Sequence, residues 1–167
     1  PEAQMDRFLM HVYIHYPDDP SEKAVVRLVR DETASDHQDA SPPEPPAPIP
    51  QQAVFDARAE IAAIRIEEPM EDYIVALIAG TRRPGELDDD LARYIQVGAS
   101  PRGSISLDKA SRAHAWLGGR EQVTPDDIRA VVSDCLRHRL VLSYEAGADG
   151  VTADDVISQL VKLVAVA

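Results

Sequence analysis

The stretch GASPRG, residues 98–103, sets an arginine at the start of a helix. Ser100 reads as the N-cap, Pro101 as the first helical residue and Arg102 as the second. That end of a helix carries about half an elementary positive charge, so a cation there is mildly repelled unless an anion lies between. A guanidinium is a planar, permanently charged fork that matches phosphate oxygens. Unpaired backbone N–H groups at a helix N-terminus favour the same kind of ligand. From the residues alone, Arg102 either faces a phosphate or pairs with one of the carboxylates of ELDDDL, residues 86–91.

Other candidate chemistry is thinner. His11 and His15 share one side of an alternating stretch, which reads as a neutral strand face rather than a metal site. The five histidines show no ligand spacing with cysteine or paired carboxylates, so no metal is expected. Asp31-Glu32 follows an apolar run and imitates a Walker B motif, but Arg27 and Arg30 interrupt that run and a proline-rich stretch follows. The acidic pair is therefore read as a solvated helix end. No G-x-x-x-x-G-K-[ST] loop occurs; GTRRPG, residues 80–85, lacks the Lys-Ser/Thr pair.

The bulk composition narrows the partners. The 167 residues carry 29 acidic and 17 basic side chains, a formal net charge of -12. Binding to nucleic acid or anionic lipid needs phosphate-neutralising cations, so neither is expected as a general partner. A helix-turn-helix reading built on RHR, residues 137–139, is opposed by the same charge. No apolar run approaches the roughly 18 residues of a membrane span. The single cysteine, Cys135, excludes an intrachain disulfide and fits a reducing compartment, so a cytoplasmic location is expected.

The elements follow from periodicity. In LMHVYIHY, residues 9–16, Met10, Val12, Ile14 and Tyr16 alternate with Leu9, His11, Tyr13 and His15, which predicts a strand. A lone strand is unstable, so it requires a partner or is a remnant of a sheet. Ser21 is expected to cap a short helix through Glu32 with Ala24, Val25, Leu28 and Val29 as its stripe. Residues 33–50 hold six of the thirteen prolines and are expected to form an extended or disordered insertion. Beyond Gln51 helices dominate. One carries Val54, Phe55, Ala59 and Ala62; another, from Pro69, carries Tyr73, Ile74, Leu77 and Ile78. The GASPRG helix should run from Pro101 to Leu117 and stop at Gly118-Gly119. Thr124 with Asp127, and Thr152 with Asp155, carry capping-box spacing for two more. The expected interior comprises Tyr73, Ile74, Leu77, Ile105, Trp116, Leu117, Ile128, Val131, Val132, Leu136, Leu160 and Val161, with Cys135 as a small core residue.

Three motifs occur together in order. GASPRG leads into an alanine-containing helix, GREQVTPDD and LRHRL, while PEAQMDRF opens the chain. This combination resembles the sensor-2 and lid region of MoxR-family AAA+ ATPases, with PEAQMDRF similar to the family segment that carries a proposed arginine finger. The resemblance spans nearly all of the chain outside the proline-rich stretch. It implies a mainly α fold: a AAA+ C-terminal helical lid with a short β remnant of the α/β core. Its domains would be residues 1–20 as the end of the core, 21–32 as the first lid helix, 33–50 as the insertion and 51–167 as the lid.

The resemblance also implies roles. Arg102 matches the sensor-2 arginine, reaching the γ-phosphate of ATP in the same subunit, and Arg7 matches the finger offered to a neighbour's ATP. Gly98, Ala99, Ser100 and Pro101 would set the helix against the nucleotide, and Arg137 and Arg139 would serve structural or inter-subunit roles. The cofactor implied is Mg-ATP in an intact protein. This chain lacks Walker A and Walker B, which would lie upstream of Pro1, and is expected to bind ATP weakly and to be inactive alone. The implied partners are further copies in a ring and a protein with a von Willebrand A domain. From the residues, a free-standing helical interaction module stays the alternative.

Overall fold

The computed structural model describes residues 2–35 and 47–166, and it is mainly helical with one two-stranded sheet. Two compact units divide it: residues 1–12 with 52–167, and residues 13–51.

The smaller unit holds α2, Asp19–Ser35 (α1, Glu2–Met5, belongs to the larger). The helix starts earlier than Ser21 predicts, because the Asp18 carboxylate accepts the Ser21 N–H at 3.0 Å and so caps it. Pro20 sits in the first turn, where its missing N–H leaves nothing unsatisfied. Val25, Val26, Leu28 and Val29 are all at least half exposed, so the predicted stripe exists without a core to fill. Asp31 and Glu32 lie in the exposed second half of α2, as a solvated helix end should. Residues 33–35 complete that helix and 47–50 have no regular structure. The remainder of the predicted proline-rich insertion, residues 36–46, lies outside the described residues.

The predicted strand at residues 9–16 is absent: residues 10–18 carry no regular secondary structure. Alternation permits a strand but cannot supply a ladder partner. The sheet lies elsewhere, pairing β1, Ile95–Val97, antiparallel with β2, Val141–Leu142.

In the larger unit, α3 is Gln51–Ala63 and α4 is Glu68–Arg82. A 3-10 turn at Pro84–Glu86 leads to α5, Asp89–Tyr94, capped by Asp88. Then come α6, Pro101–Leu117, and α7, Pro125–Leu136. After β2 follow α8, Tyr144–Ala148, and α9, Ala153–Leu163. Both predicted capping boxes form, Thr124 with Asp127 and Thr152 with Asp155. The α6–α7 pair packs closely, joined through Gly118-Gly119, where Gly119 takes φ +68°. Helices α4 and α9 close the core over this pair.

Tyr73, Ile74, Leu77, Ile128, Val131, Val132, Cys135, Leu136 and Leu160 are buried as predicted. Trp116 and Val161 are half-buried against the core, and the Trp116 indole N–H donates to Glu60 at 2.7 Å. Two expected core residues are outside: Ile105 is 54% exposed and Leu117 76%. The face of α6 that turns inward is Gly103, Ser106, Leu107, Ala110, Ser111 and Ala115. Apart from Leu107 these are small residues at helical spacing, which let α4 and α7 approach, and Ile105 lies off that face. No helix among the described residues is long and apolar enough to cross a membrane.

Candidate functional site

The N-terminal end of α6 is built from α4 outward. Gly98 lies so close to the end of α4 that a Cβ would sit 2.2 Å from the Thr81 carbonyl oxygen, so a side chain does not fit. The Ala99 N–H donates to Thr81 Oγ1 at 3.0 Å, and the Arg82 Nε–H donates to the Ala99 carbonyl at 2.7 Å. Ser100 follows in extended conformation, and its Oγ accepts the Arg102 N–H at 3.1 Å. The N-cap at Ser100, Pro101 at the first position and Arg102 at the second are all as the sequence predicts.

Arg102 is not alone. Its Nη1 donates to Asp6 Oδ2 at 3.2 Å, with the arginine side chain 57% exposed and the aspartate 17%. The Ser100 hydroxyl donates to the same carboxylate, 3.0 Å from Oδ1 and 2.9 Å from Oδ2. Arg139 donates from Nε to Oδ1 at 3.1 Å, and its side chain is only 1% exposed. Burial by itself would push the Asp6 carboxyl up. The Ser100 and Arg102 hydrogen bonds and the nearby charge of Arg139 outweigh it and hold the group below its ordinary 3.8.

Arg139 also fastens the backbone around Asp6. Its Nη2 donates to the Asp6 carbonyl at 3.2 Å, the Phe8 carbonyl at 2.6 Å and Ser106 Oγ at 2.9 Å. Its Nη1 reaches the carbonyls of Leu9 and Cys135. A buried guanidinium with every donor occupied is stable where an unpaired one would not be. His138 adds a bond to the Phe8 carbonyl at 3.2 Å, and the Asp134 carbonyl accepts the His11 N–H at 2.8 Å. Arg137 bonds Asp134, Asp154 and the His11 carbonyl. The RHR motif thus clamps residues 6–11 onto the C-terminal end of α7. Arg7, carried by that segment, is exposed, and its side chain forms no ion pair among the described residues.

A cleft of about 210 Å³ lies beside the carboxylate, lined by Asp6, Gly98, Ser100, His138, Arg139 and Val141 among others. A larger one, about 490 Å³, sits at the opposite end of α6, between Glu60, Arg65, Trp116 and Arg120. Its cations are balanced by Glu60 and Glu121, so it presents no excess positive charge for an anion. No group of three or more His, Cys, Asp or Glu suited to a metal occurs among the described residues.

Of the sequence-predicted residues, the structure brings Arg102, Ser100 and the Arg7 segment to one place. The polar groups of Ala99 and the close approach of Gly98 are spent on α4. The pairing of Asp6 with Arg139 has no signal in the sequence. Asp6 stands next to Arg7 and Arg139 lies in the closing motif, but nothing in spacing links positions 133 residues apart.

Residues 89–160 match the family model described as the AAA lid domain. The chain is 32% identical over 166 residues to the chaperone MoxR1 of Mycobacterium tuberculosis, covering 99% of this chain and 42% of that protein. The chain belongs to the MoxR family of AAA+ proteins. Another family member, the protein MoxR of Methylorubrum extorquens, is 34% identical over 148 residues, covering 85% of this chain and 43% of its own length. A crystal structure of a protein described as an ATPase, from Cytophaga hutchinsonii, superposes with a TM-score of 0.89 at 34% identity. It is covered over 49% of its length, and this chain over 100%. The chain spans less than half the length of these curated MoxR relatives. Its mainly helical fold with a small sheet is that of the AAA+ C-terminal lid.

Proposed function

We propose that this MoxR-type lid contributes two cations to ATP binding and hydrolysis in a chaperone-like motor. Arg102 acts as sensor 2 toward the nucleotide of its own subunit, with Gly98 to Pro101 setting the helix in place, and Arg7 acts as the finger toward a neighbour. The observation that carries this reading is the meeting of both segments on Asp6, which gathers two separate arginine-bearing stretches at one helix end.

The chemistry supports it. Arg102 presents an exposed guanidinium with a single 3.2 Å contact at the positive end of α6, which suits a phosphate oxygen. Arg7 is exposed and unpaired among the described residues, as a group meant for another chain should be. Bound Mg-ATP supplies the phosphoryl group; the residues here hold and neutralise its charge. Positioned cations of this kind are worth about 10³- to 10⁵-fold in rate for a finger. The phosphate-cradling loop and the Mg²⁺-holding acid are not in this sequence, so the 167-residue chain by itself should bind nucleotide weakly and hydrolyse none. The same reading implies a homo-oligomeric ring, since a finger acts across an interface. It also implies residues 1–20 as the end of the motor core, a protein with a von Willebrand A domain as partner, and work in the cytoplasm.

The test is ATP turnover by the full protein carrying this chain. Arg102→Ala and Arg7→Ala should each lower kcat by at least about tenfold. Mixing the two variants should restore part of the turnover, because one acts within a subunit and the other across. Wild-type turnover in Arg102→Ala would overturn the sensor-2 role.

A further inference from the structure

We propose that Asp6 is a positioning residue: it holds Arg102 while no phosphate is present, and the loss of that one contact when phosphate arrives alters the setting of the adjacent Arg7. The proposal rests on the reading of Arg102 and Arg7 given above.

Asp6 has three partners with unequal grip. Arg139, 1% exposed, takes Oδ1 and also the Asp6 carbonyl, so it fixes the main chain as well as the side chain. Ser100 donates to the carboxylate within 3.0 Å and at the same time caps α6. Arg102 contributes only one contact, 3.2 Å long, from a guanidinium 57% exposed. Solvent competes most with that contact, less with the half-buried Ser100 contact and least with buried Arg139. The Arg102 contact is therefore the one that can be surrendered without dismantling the rest.

A terminal phosphate carries more negative charge than a carboxylate and can accept two guanidinium N–H groups side by side. Arg102 should exchange Asp6 for such a group. Afterwards Asp6 keeps Ser100 and Arg139 but loses a cation, and the next residue along the chain is Arg7. An event at the nucleotide of one subunit is thereby felt by the arginine that faces another, over a path of one side-chain contact and one peptide bond. Because Asp6 competes with phosphate, it lowers apparent affinity by the fraction of time Arg102 is engaged.

Two double-mutant cycles in the full protein test this. Binding of a fluorescent ATP analogue is measured for wild type, Asp6→Asn, Arg102→Ala and the double variant. Asp6→Asn should bind about two- to fivefold tighter than wild type, and should change nothing once Arg102 is alanine. Unchanged or weaker binding in Asp6→Asn, or an equal effect in both backgrounds, would reduce Asp6 to a structural residue and overturn the proposal. In the second cycle, turnover at saturating ATP should fall severalfold in Asp6→Asn and fall less than multiplicatively when Arg7→Ala is added; independent effects would overturn the link to Arg7. If Arg102→Ala alone leaves both binding and turnover intact, it is the sensor-2 reading that fails. Should Asp6→Asn not fold, the wild-type protein answers by carboxyl carbon NMR. The Asp6 resonance should titrate at higher pH with the analogue bound than without it, and an unmoved titration would overturn the proposal.

Discussion

The two ends of α6 each hold a carboxylate among cationic and hydroxyl donors, and they behave differently. At the C-terminal end, Asp127 is fully buried. It accepts from His114 Nδ1 at 2.7 Å, from the Thr124 N–H at 2.9 Å and hydroxyl at 2.7 Å, and from Arg120. Burial pushes its carboxyl up, but the His114, Thr124 and Arg120 hydrogen bonds prevail and bring it down to about 2. At the N-terminal end, Asp6 stays partly open and one of its cations is mostly in solvent. The sealed site locks α6 to the start of α7 with partners from one short stretch of chain. The open site joins three stretches far apart in sequence. The Asp127 carboxylate is itself wholly out of solvent although His114 and Arg120 reach it, so it can only stabilise, whereas the Asp6 carboxylate is itself partly open and can exchange partners.

The contrast can be broken at four points. The largest loss should follow Arg139→Ala, which strands the Asp6 carboxylate and several carbonyls in a buried place. About 3–5 kcal/mol of stability should go in urea unfolding, and the His11 amide, now bonded to Asp134, should lose hydrogen-exchange protection. Retained protection would separate the clamp from the RHR motif.

Next, Asp127→Ala removes the capping box and its charged partners at once and should cost about 3 kcal/mol. The same carboxyl sets part of the acid limb. Its folded value, about 2, lies below its ordinary 3.8, so the folded state binds fewer protons in between. Its stabilisation is complete above about pH 4 and disappears as pH falls toward 2. Asp127→Asn should flatten the stability curve across that interval, and an unchanged slope would contradict the assignment.

Gly98→Ala drives a methyl group into the Thr81 carbonyl and should destabilise by on the order of 1–3 kcal/mol through overpacking, disturbing the open end of α6 while leaving Asp127 protected. The smallest change is expected for Arg102→Ala, below about 0.5 kcal/mol in thermal unfolding, since its pair is exposed. A larger loss would make Arg102 a structural cation and erase the difference between the two ends.

What could be read from the sequence follows the same division. The caps at Ser100, Thr124 and Thr152 depend on residues two or three positions away, so spacing alone reveals them, and Gly118-Gly119 marks the stop of α6 for the same reason. Asp6 could not be found that way, because Ser100 and Arg139 lie 94 and 133 residues from it. Ile105 and Leu117 are large but out of phase: apart from Leu107, the buried face of α6 consists of small residues that fit between α4 and α7. Residues 9–16 have the pattern of a strand, but pattern does not provide a neighbour, and Arg139 and Arg137, just past the end of α7, take the Leu9 and His11 carbonyls instead. The start of α2 moved because Asp18 is a better placed acceptor than Ser21.

The only tryptophan stands at the sealed end of this helix. Fourteen residues separate it from Arg102, about 21 Å along the axis. Its emission will therefore follow melting of the α6–α7 junction and stay blind to partner exchange at the far end. An optical signal for nucleotide would need a dye placed near Phe8, a residue already 61% exposed.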